Sequence, residues 1–129
     1  MTRVAKMVGV MMVVWSCFQT AAAQQYVGGK VTWDGLNDSA KRGYVLGAFD
    51  AGQTLYQGSL VNQYVMDIGQ CVLDMQLSAH QLVEIVESEY SDLSKWDESA
   101  NALLQSGLRK VCLGHMNRAR AARGDKPIE

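Results

Sequence analysis

Apolar side chains recur at intervals of three and four residues from about residue 39 to residue 113, and this spacing constrains the fold most. Because an α-helix has 3.6 residues per turn, such spacing places the apolar side chains on one helix face. The chain's one proline, Pro127, lies beyond this stretch. With 129 residues, 48% of them hydrophobic, the chain suits one small globular domain. We therefore predict an all-α fold, a compact bundle of three to four helices.

The segment before the first helix has a mixed pattern. Residues 25–38 predict a short strand or an irregular lead-in, with Trp33 and Leu36 over the domain core. Any of residues 37–39 can cap the helix that follows, because each has a short oxygen-bearing side chain. Gly58 is expected to break or kink this first helix.

Three further signals place the remaining helices. Residues 61–75 form a second amphipathic stretch, and Ser78 with Gln81 fits a capping box at the start of a third helix. A last helix is predicted from residue 96 or 97 to residue 113, with Gly114 ending it. The predicted core-facing residues of the third helix are Leu82, Val83, Val86 and Tyr90, with Ile85 at the margin. Those of the last helix are Ala100, Leu103, Leu104, Leu108, Val111 and Cys112.

The amino terminus has the organisation of a secretory signal peptide. Arg3 and Lys6 precede an apolar run over residues 7–18, and three alanines end at Ala23. An apolar run of about 12 residues is shorter than the roughly 20 needed to cross a bilayer. We predict export with cleavage after Ala23 and no membrane association afterwards. A retained anchor and a lipoprotein signal with Cys17 as the lipidated residue are the alternatives.

Removal of residues 1–23 leaves two of the three cysteines, Cys71 and Cys112. An even pair in an oxidising compartment is most simply a disulfide. We predict that it staples the helical bundle; two free buried thiols would fit a cytosolic protein better.

Small residues form a second stripe on the first helix. Gly43, Gly47 and Ala51 are spaced four residues apart, so they share one helix face. Because glycine inside a helix costs about 1 kcal/mol relative to alanine, we interpret the stripe as a helix-packing surface. The partner helix lies within the domain or across a homodimer.

Charge is distributed unevenly along the chain. The formal net charge is only -1, which gives no bulk reason to expect a nucleic-acid partner. Residues 114–129 are basic through Arg118, Arg120, Arg123 and Lys126 and have few apolar anchors. We expect a helical domain over residues 24–113 and a basic, mobile tail over residues 114–129. Three arginines in an exported protein are weak evidence for nucleic-acid binding.

Five acidic residues crowd around the turn before the last helix, and in the sequence only Lys95 opposes them. One interpretation is a solvated turn, whose later acids favour the start of the next helix. The other is a surface that attracts a basic protein partner. The five candidate partner-binding residues are Glu87, Glu89, Asp92, Asp97 and Glu98.

The sequence contains no motif typical of catalysis or metal binding. His80 and His115 are its only histidines, and neither has the spacing of a zinc site. Asp50, Asp67 and Asp74 would form a carboxylate pair only if the tertiary fold brought them together. We expect a protein that is not an enzyme, with no catalytic residues, metal or cofactor.

Several motifs follow one another along residues 36–113. The run GYVLGAFDA at residues 43–51 is followed by Cys71, by SAHQL at residues 78–82 and by Cys112. In this order the motifs resemble the Rap/Tai family of immunity proteins, which is associated with type VI secretion. The run at residues 43–51 is similar to the signature helix of that family. After removal of residues 1–23 the chain departs from the family pattern in two ways: it has no cysteine upstream of the signature helix and no proline near the cysteine that follows it.

The resemblance implies a periplasmic all-α protein, often a homodimer, that binds and blocks a peptidoglycan-cleaving amidase toxin. On this reading the protein has no catalysis of its own and occupies the active-site cleft of the toxin. The opening residues 33–44 also resemble small exported helical proteins with no assigned role. The alternative is therefore a stress-related or structural periplasmic protein, similar to an acid-stress chaperone, with no toxin partner.

Overall fold

A computed structural model describes residues 27–55 and 62–129. Within these ranges the chain forms five α-helices and a short 3₁₀ turn, with no strand. The helices are α1 (Lys30–Asp34), α2 (Asp38–Leu55), α3 (Asn62–Asp74), α4 (Ala79–Glu89) and α5 (Ala100–Arg123). The all-α prediction is confirmed, and the lead-in contains a one-turn helix instead of a strand. The predicted signal peptide and Gly58 lie outside the described residues.

The core lies where the four longer helices meet. Helix α5 packs against α3 and α4, and α2 packs against α4. Trp33 of α1 is 1% exposed and Leu36 packs half-buried against the core, as predicted. The Trp33 ring meets Tyr44 edge-on, with ring centroids 6.1 Å apart. The short α1 therefore closes one side of the bundle.

Helix starts follow the capping signals closely. Asn37 is the cap of α2, because its side-chain oxygen accepts from the Ala40 N–H at 2.9 Å. The Ser78 box is confirmed, since the Ser78 hydroxyl accepts from the Gln81 N–H and Gln81 accepts from the Ser78 N–H. The last helix begins later than predicted, at residue 100, because residues 93–95 form a 3₁₀ turn and Ser99 provides the cap.

The two remaining cysteines are joined as predicted. Cys71 of α3 and Cys112 of α5 lie at disulfide distance, with their Cα atoms 5.9 Å apart. Both side chains are fully buried. The disulfide therefore links the two helices from inside the core.

The prediction that the last helix ends at Gly114 is wrong. Helix α5 continues to Arg123, and Gly124 ends it in the left-handed conformation, with φ at 81°. Met116 is fully buried and supports this extension, which offsets the roughly 1 kcal/mol cost of Gly114 inside a helix. Residues 114–129 are therefore not a separate tail: the first ten are helical, and Ile128 packs against the core.

The small-residue stripe does not pack inside the described domain. A Cβ atom added at Gly43 or Gly47 would meet no described atom within 4 Å, and Ala51 is exposed. Close helix packing occurs instead at Gly107, where a Cβ atom would lie 2.2 Å from Ile85 Cγ2. Among the described residues, therefore, no helix packs closely on Gly43 or Gly47, and use of the stripe in a homodimer stays a prediction.

One predicted core position is also incorrect. Val111 is 42% exposed, because the buried face of α5 follows Leu104, Leu108 and Cys112. No helix within residues 27–55 and 62–129 has the length and apolar character needed to cross a membrane.

Candidate functional site

The predicted acidic cluster surrounds the segment between α4 and α5, residues 90–99, which we call the α4–α5 turn. Glu89 stands apart from the other four acids because its side chain is only 7% exposed. Lys110 Nζ donates to its two oxygens at 2.5 and 2.8 Å, and Lys95 also donates to it. Burial alone would raise the pKa of Glu89, but the hydrogen bonds from these two ammonium groups lower it. Glu89 is thus a buried ion-pair residue and not part of an exposed acidic surface.

The other four predicted acids are exposed. Glu87 accepts from Lys41 Nζ at 2.9 Å, which links α4 to α2. Asp92 accepts from the Ser94 N–H and hydroxyl at 3.0 and 2.7 Å, and these bonds lower its pKa. Asp97 and Glu98 form no ion pair with any described residue. The exposed carboxylates therefore border the turn on both sides of its 3₁₀ segment.

Two large apolar side chains project from the same turn. Leu93 is 73% exposed and Trp96 is 44% exposed. Side chains three residues apart in a 3₁₀ turn lie on the same side, so these two form one apolar projection. In the sequence only the acids of this segment stand out as candidate binding residues, although a Leu and a Trp in a short connecting turn are a signal for an apolar projection.

Contacts within the turn and with α1 hold it in place. The Trp96 ring donates from Nε1 to the Tyr90 carbonyl at 3.1 Å, and Tyr90 donates its hydroxyl to the Glu98 carbonyl at 2.8 Å. The Trp96 carbonyl accepts from the Lys30 N–H of α1 at 2.8 Å. The Lys30 ammonium also lies 5.6 Å from the centroid of the Trp96 ring. The Trp96 ring and the backbone of the turn are therefore held by contacts within the domain.

The close approach of α1 depends on a glycine. A Cβ atom at Gly29 would lie 2.8 Å from the Trp96 carbonyl oxygen, a contact too short for any other residue without a shift of the backbone. Gly29 therefore allows α1 to support the turn.

The two histidines have different environments. His80 is exposed as expected, with Nε2 3.4 Å from Glu84 Oε1. His115 is not simply solvated, because its Nε2 lies 2.8 Å from Asp74 Oδ2 and its Nδ1 is buried without a described partner. Hydrogen bonds from Gln70 and His115 lower the pKa of Asp74. This pair joins α3 to α5 one turn from the disulfide.

The three candidate aspartates do not form a carboxylate pair. Asp50 is exposed, whereas Asp67 is buried and accepts from both terminal nitrogens of Arg123 at 3.1 and 2.7 Å. Burial opposes ionisation of Asp67, but the bonds from Arg123 and Gln63 lower its pKa. The Asp67–Arg123 pair secures the end of α5.

The remaining polar groups provide no larger site. Among the described residues, no three side chains of the metal-ligating types are clustered to hold a metal ion. A cleft of about 70 Å³ between α2 and α4 is lined by Asp38, Arg42, His80, Val83 and Glu87. Pockets that bind small organic ligands usually have volumes of about 300 Å³ or more, so this cleft is too small for such a ligand.

The α4–α5 turn is thus the described surface that best combines exposed apolar area, charge and fixed geometry. No protein-family model matches the chain, and comparisons with curated proteins and with solved structures give no significant match.

Proposed function

We propose that the protein is an exported, immunity-type binding protein of the periplasm. It neutralises a peptidoglycan amidase effector by covering the active site of that enzyme, and it performs no catalysis itself. One observation carries the proposal: the α4–α5 turn exposes Leu93 and Trp96 beside several carboxylates, and a hydrogen bond to the Tyr90 carbonyl holds the Trp96 ring. The motif order that resembles the Rap/Tai family supports the choice of partner.

The apolar projection has the properties of an interface anchor. Tryptophan is enriched among the few residues that contribute most of the binding energy at protein interfaces. Because Trp96 is already held by Tyr90 and Lys30, binding loses little side-chain freedom at this position. A pocket in the partner that covers both Leu93 and Trp96 would remove their apolar surface from water.

The surrounding charge favours a basic partner. Asp92, Asp97 and Glu98 are exposed beside the projection, whereas the nearby ammonium of Lys95 is paired with Glu89. Such an arrangement speeds the encounter with a positively charged surface and opposes an acidic one. An amidase cleft with lysine or arginine at its rim would therefore match the turn.

Inhibition of a purified amidase tests this function. A purified peptidoglycan amidase of the type VI effector class is used, and its cleavage of peptidoglycan is titrated with the exported protein. We expect activity to fall to zero at one equivalent, because occlusion is stoichiometric. Full amidase activity at a tenfold excess of the protein would contradict the proposal. Binding of unfolded client proteins only at low pH would favour the stress-related alternative.

A further inference from the structure

The residues after α5 fold back along the helix they leave. Gly124 and Asp125 donate their N–H groups to the carbonyls of Ala121 and Arg120, and the chain reverses direction. We call residues 124–129 the return segment. Further along it, Arg120 Nε donates to the Lys126 carbonyl and Arg109 Nη2 donates to the main-chain oxygen of Glu129. Since the contacts on α5 move from residue 120 back to residue 109, the segment runs antiparallel to the helix.

Asn117 binds the main chain of Ile128 on both sides. Its amide nitrogen donates to the Ile128 carbonyl at 3.1 Å, and its amide oxygen accepts from the Ile128 N–H at 2.8 Å. A side-chain amide can satisfy both groups because it carries a donor and an acceptor next to each other. Hydrogen bonds to the main chain also provide the affinity where an extended peptide adds to the edge of a sheet.

The residues that hold the return segment form one face of α5. Arg109, Leu113, Asn117 and Arg120 are separated by four, four and three residues, so they align along the helix. Leu113 lies among the three polar residues and packs half-buried against the core, as does Ile128. We call this face the return groove. It combines the half-buried apolar side chain of Leu113 with three polar side chains that bind main-chain atoms.

We propose that the return groove is a peptide-binding site that the protein fills with its own return segment. Its ligand class is a polypeptide segment with a branched aliphatic residue whose N–H and carbonyl groups are free to pair with Asn117. The groove does not depend on the ligand's other side chains, because Arg109, Asn117 and Arg120 all bind main-chain oxygen or nitrogen. A partner segment of this type takes the place of the return segment.

The return segment is suited to removal. Ile128 is its one apolar residue packed on the core, and Pro127 is exposed. Short segments with few buried apolar contacts open at a small fraction of the cost of global unfolding. This site lies on α5, away from the α4–α5 turn, and does not rest on the proposed function.

The test uses the full chain with the substitution Ile128→Asp, which removes the apolar contact and leaves the groove intact. Hydrogen exchange at the amide of residue 128 first reports release of the segment. A fluorescein-labelled peptide with the sequence of residues 124–129 is then titrated by fluorescence anisotropy. We expect saturable binding to the Ile128→Asp chain that is at least tenfold tighter than to the unchanged chain, whose own segment competes.

Two further variants examine the recognition mode. Adding Asn117→Ala to the Ile128→Asp chain should weaken peptide binding at least tenfold, whereas adding Asn101→Ala, an exposed position on the same helix, should leave it unchanged. A peptide with Lys126→Ser should bind within twofold, because only the main chain of Lys126 is contacted. The proposal is overturned if residue 128 stays protected in the Ile128→Asp chain, or if released chain binds no peptide at 1 mM.

Discussion

Glu89 is a buried carboxylate that stays charged because two ammonium groups reach it. Lys95 comes from the adjoining turn and Lys110 comes from α5. Both ammonium groups bind the carboxylate of Glu89. Removing one partner of a buried ion pair leaves the other partners unpaired, which is the main energetic cost. The exposed position of Lys110 reduces this cost through solvent screening. Glu89 therefore stabilises the base of the α4–α5 turn.

The Glu89→Gln substitution should lower the free energy of unfolding by about 1 to 2 kcal/mol at neutral pH, after a discount for that screening. Urea unfolding measures the loss, and Glu84→Gln on the exposed face of α4 is the matched control. An equal effect of the two substitutions would show that the pairing at Glu89 contributes nothing.

The same residue gives a pH dependence with a defined sign. The pKa of Glu89 is below its ordinary value of 4.5 in the folded chain. Its contribution is therefore complete above that ordinary value and is lost as the pH falls through the folded pKa. The difference in unfolding free energy between the unchanged chain and Glu89→Gln should shrink on acidification below pH 4.5. A difference that stays constant down to about pH 2 would contradict the pairing.

At the residue scale the acidic turn was predictable from the sequence. Which of its acids are buried in ion pairs and which are exposed was not. Glu87, Glu89 and Asp92 look alike in a polar stretch, and only the tertiary fold brings Lys110 to Glu89, 21 residues away in sequence. Asp67 was hidden in the same way, because Arg123 reaches it across 56 residues. Local patterns predict which residues are polar, whereas their pairing is a property of helix packing.

Helix boundaries show a similar division at the scale of elements. The caps at Asn37 and Ser78 were predictable, since each depends on residues within one turn of the helix start. The end of α5 was not, because Met116 stabilises the helix beyond Gly114 through contacts with distant elements. A glycine inside a helix is a stop signal only where tertiary packing does not compensate.

The glycines of α2 and α5 should respond oppositely to substitution. Gly47→Ala should raise the free energy of unfolding by about 0.5 to 1 kcal/mol, because the position is open and alanine favours helix. Gly107→Ala should lower it by about 1 to 3 kcal/mol, because the added methyl group overlaps Ile85. Thermal melts measure both effects. A loss of stability together with a fall in oligomeric mass for Gly47→Leu would instead place the stripe in a dimer interface.

The carboxylates beside the turn should act on association with the amidase more than on dissociation. Asp97→Asn combined with Glu98→Gln should lower the association rate and reduce its dependence on salt. Salt near 0.15 M screens charges beyond about 8 Å, so the effect on the association rate is small there. At low ionic strength the screening is weaker, and we expect the association rate to fall severalfold. Stopped-flow binding at two salt concentrations measures the association rate and its salt dependence. Glu84→Gln combined with Asp50→Asn is the control, because it removes two negative charges away from the turn. Identical salt slopes in all three proteins would show that the two acids do not steer the partner.

At the scale of the whole molecule, one disulfide joins helices that are distant in sequence. Cys71 and Cys112 are 41 residues apart, and closing a loop of this length stabilises the folded state by about 4 kcal/mol in the chain-entropy model. Replacing both cysteines with alanine should lower the free energy of unfolding by an amount of this order. Mass spectrometry of the unchanged, non-reduced protein should show the two cysteine peptides linked. Two thiols that can be alkylated would contradict the bond.

The all-α architecture was predictable from periodicity, because one apolar face per helix dictates a bundle. The proposed binding surface was not, since Leu93 and Trp96 resemble core residues until the fold leaves them exposed. Exposure is decided by which elements cover the turn, and α1 contacts the Trp96 carbonyl through the Lys30 N–H.

The central claim is that the α4–α5 turn anchors the amidase. The most direct test is surface plasmon resonance of amidase binding to Leu93→Ala and Trp96→Ala, with Leu73→Ala on exposed α3 surface as the matched control. Because truncating an interface anchor costs about 2 kcal/mol or more, each turn variant should bind roughly 30-fold more weakly, chiefly through faster dissociation. Leu73→Ala should bind like the unchanged chain. Unchanged affinity in Leu93→Ala and Trp96→Ala proteins of normal melting temperature would contradict the account.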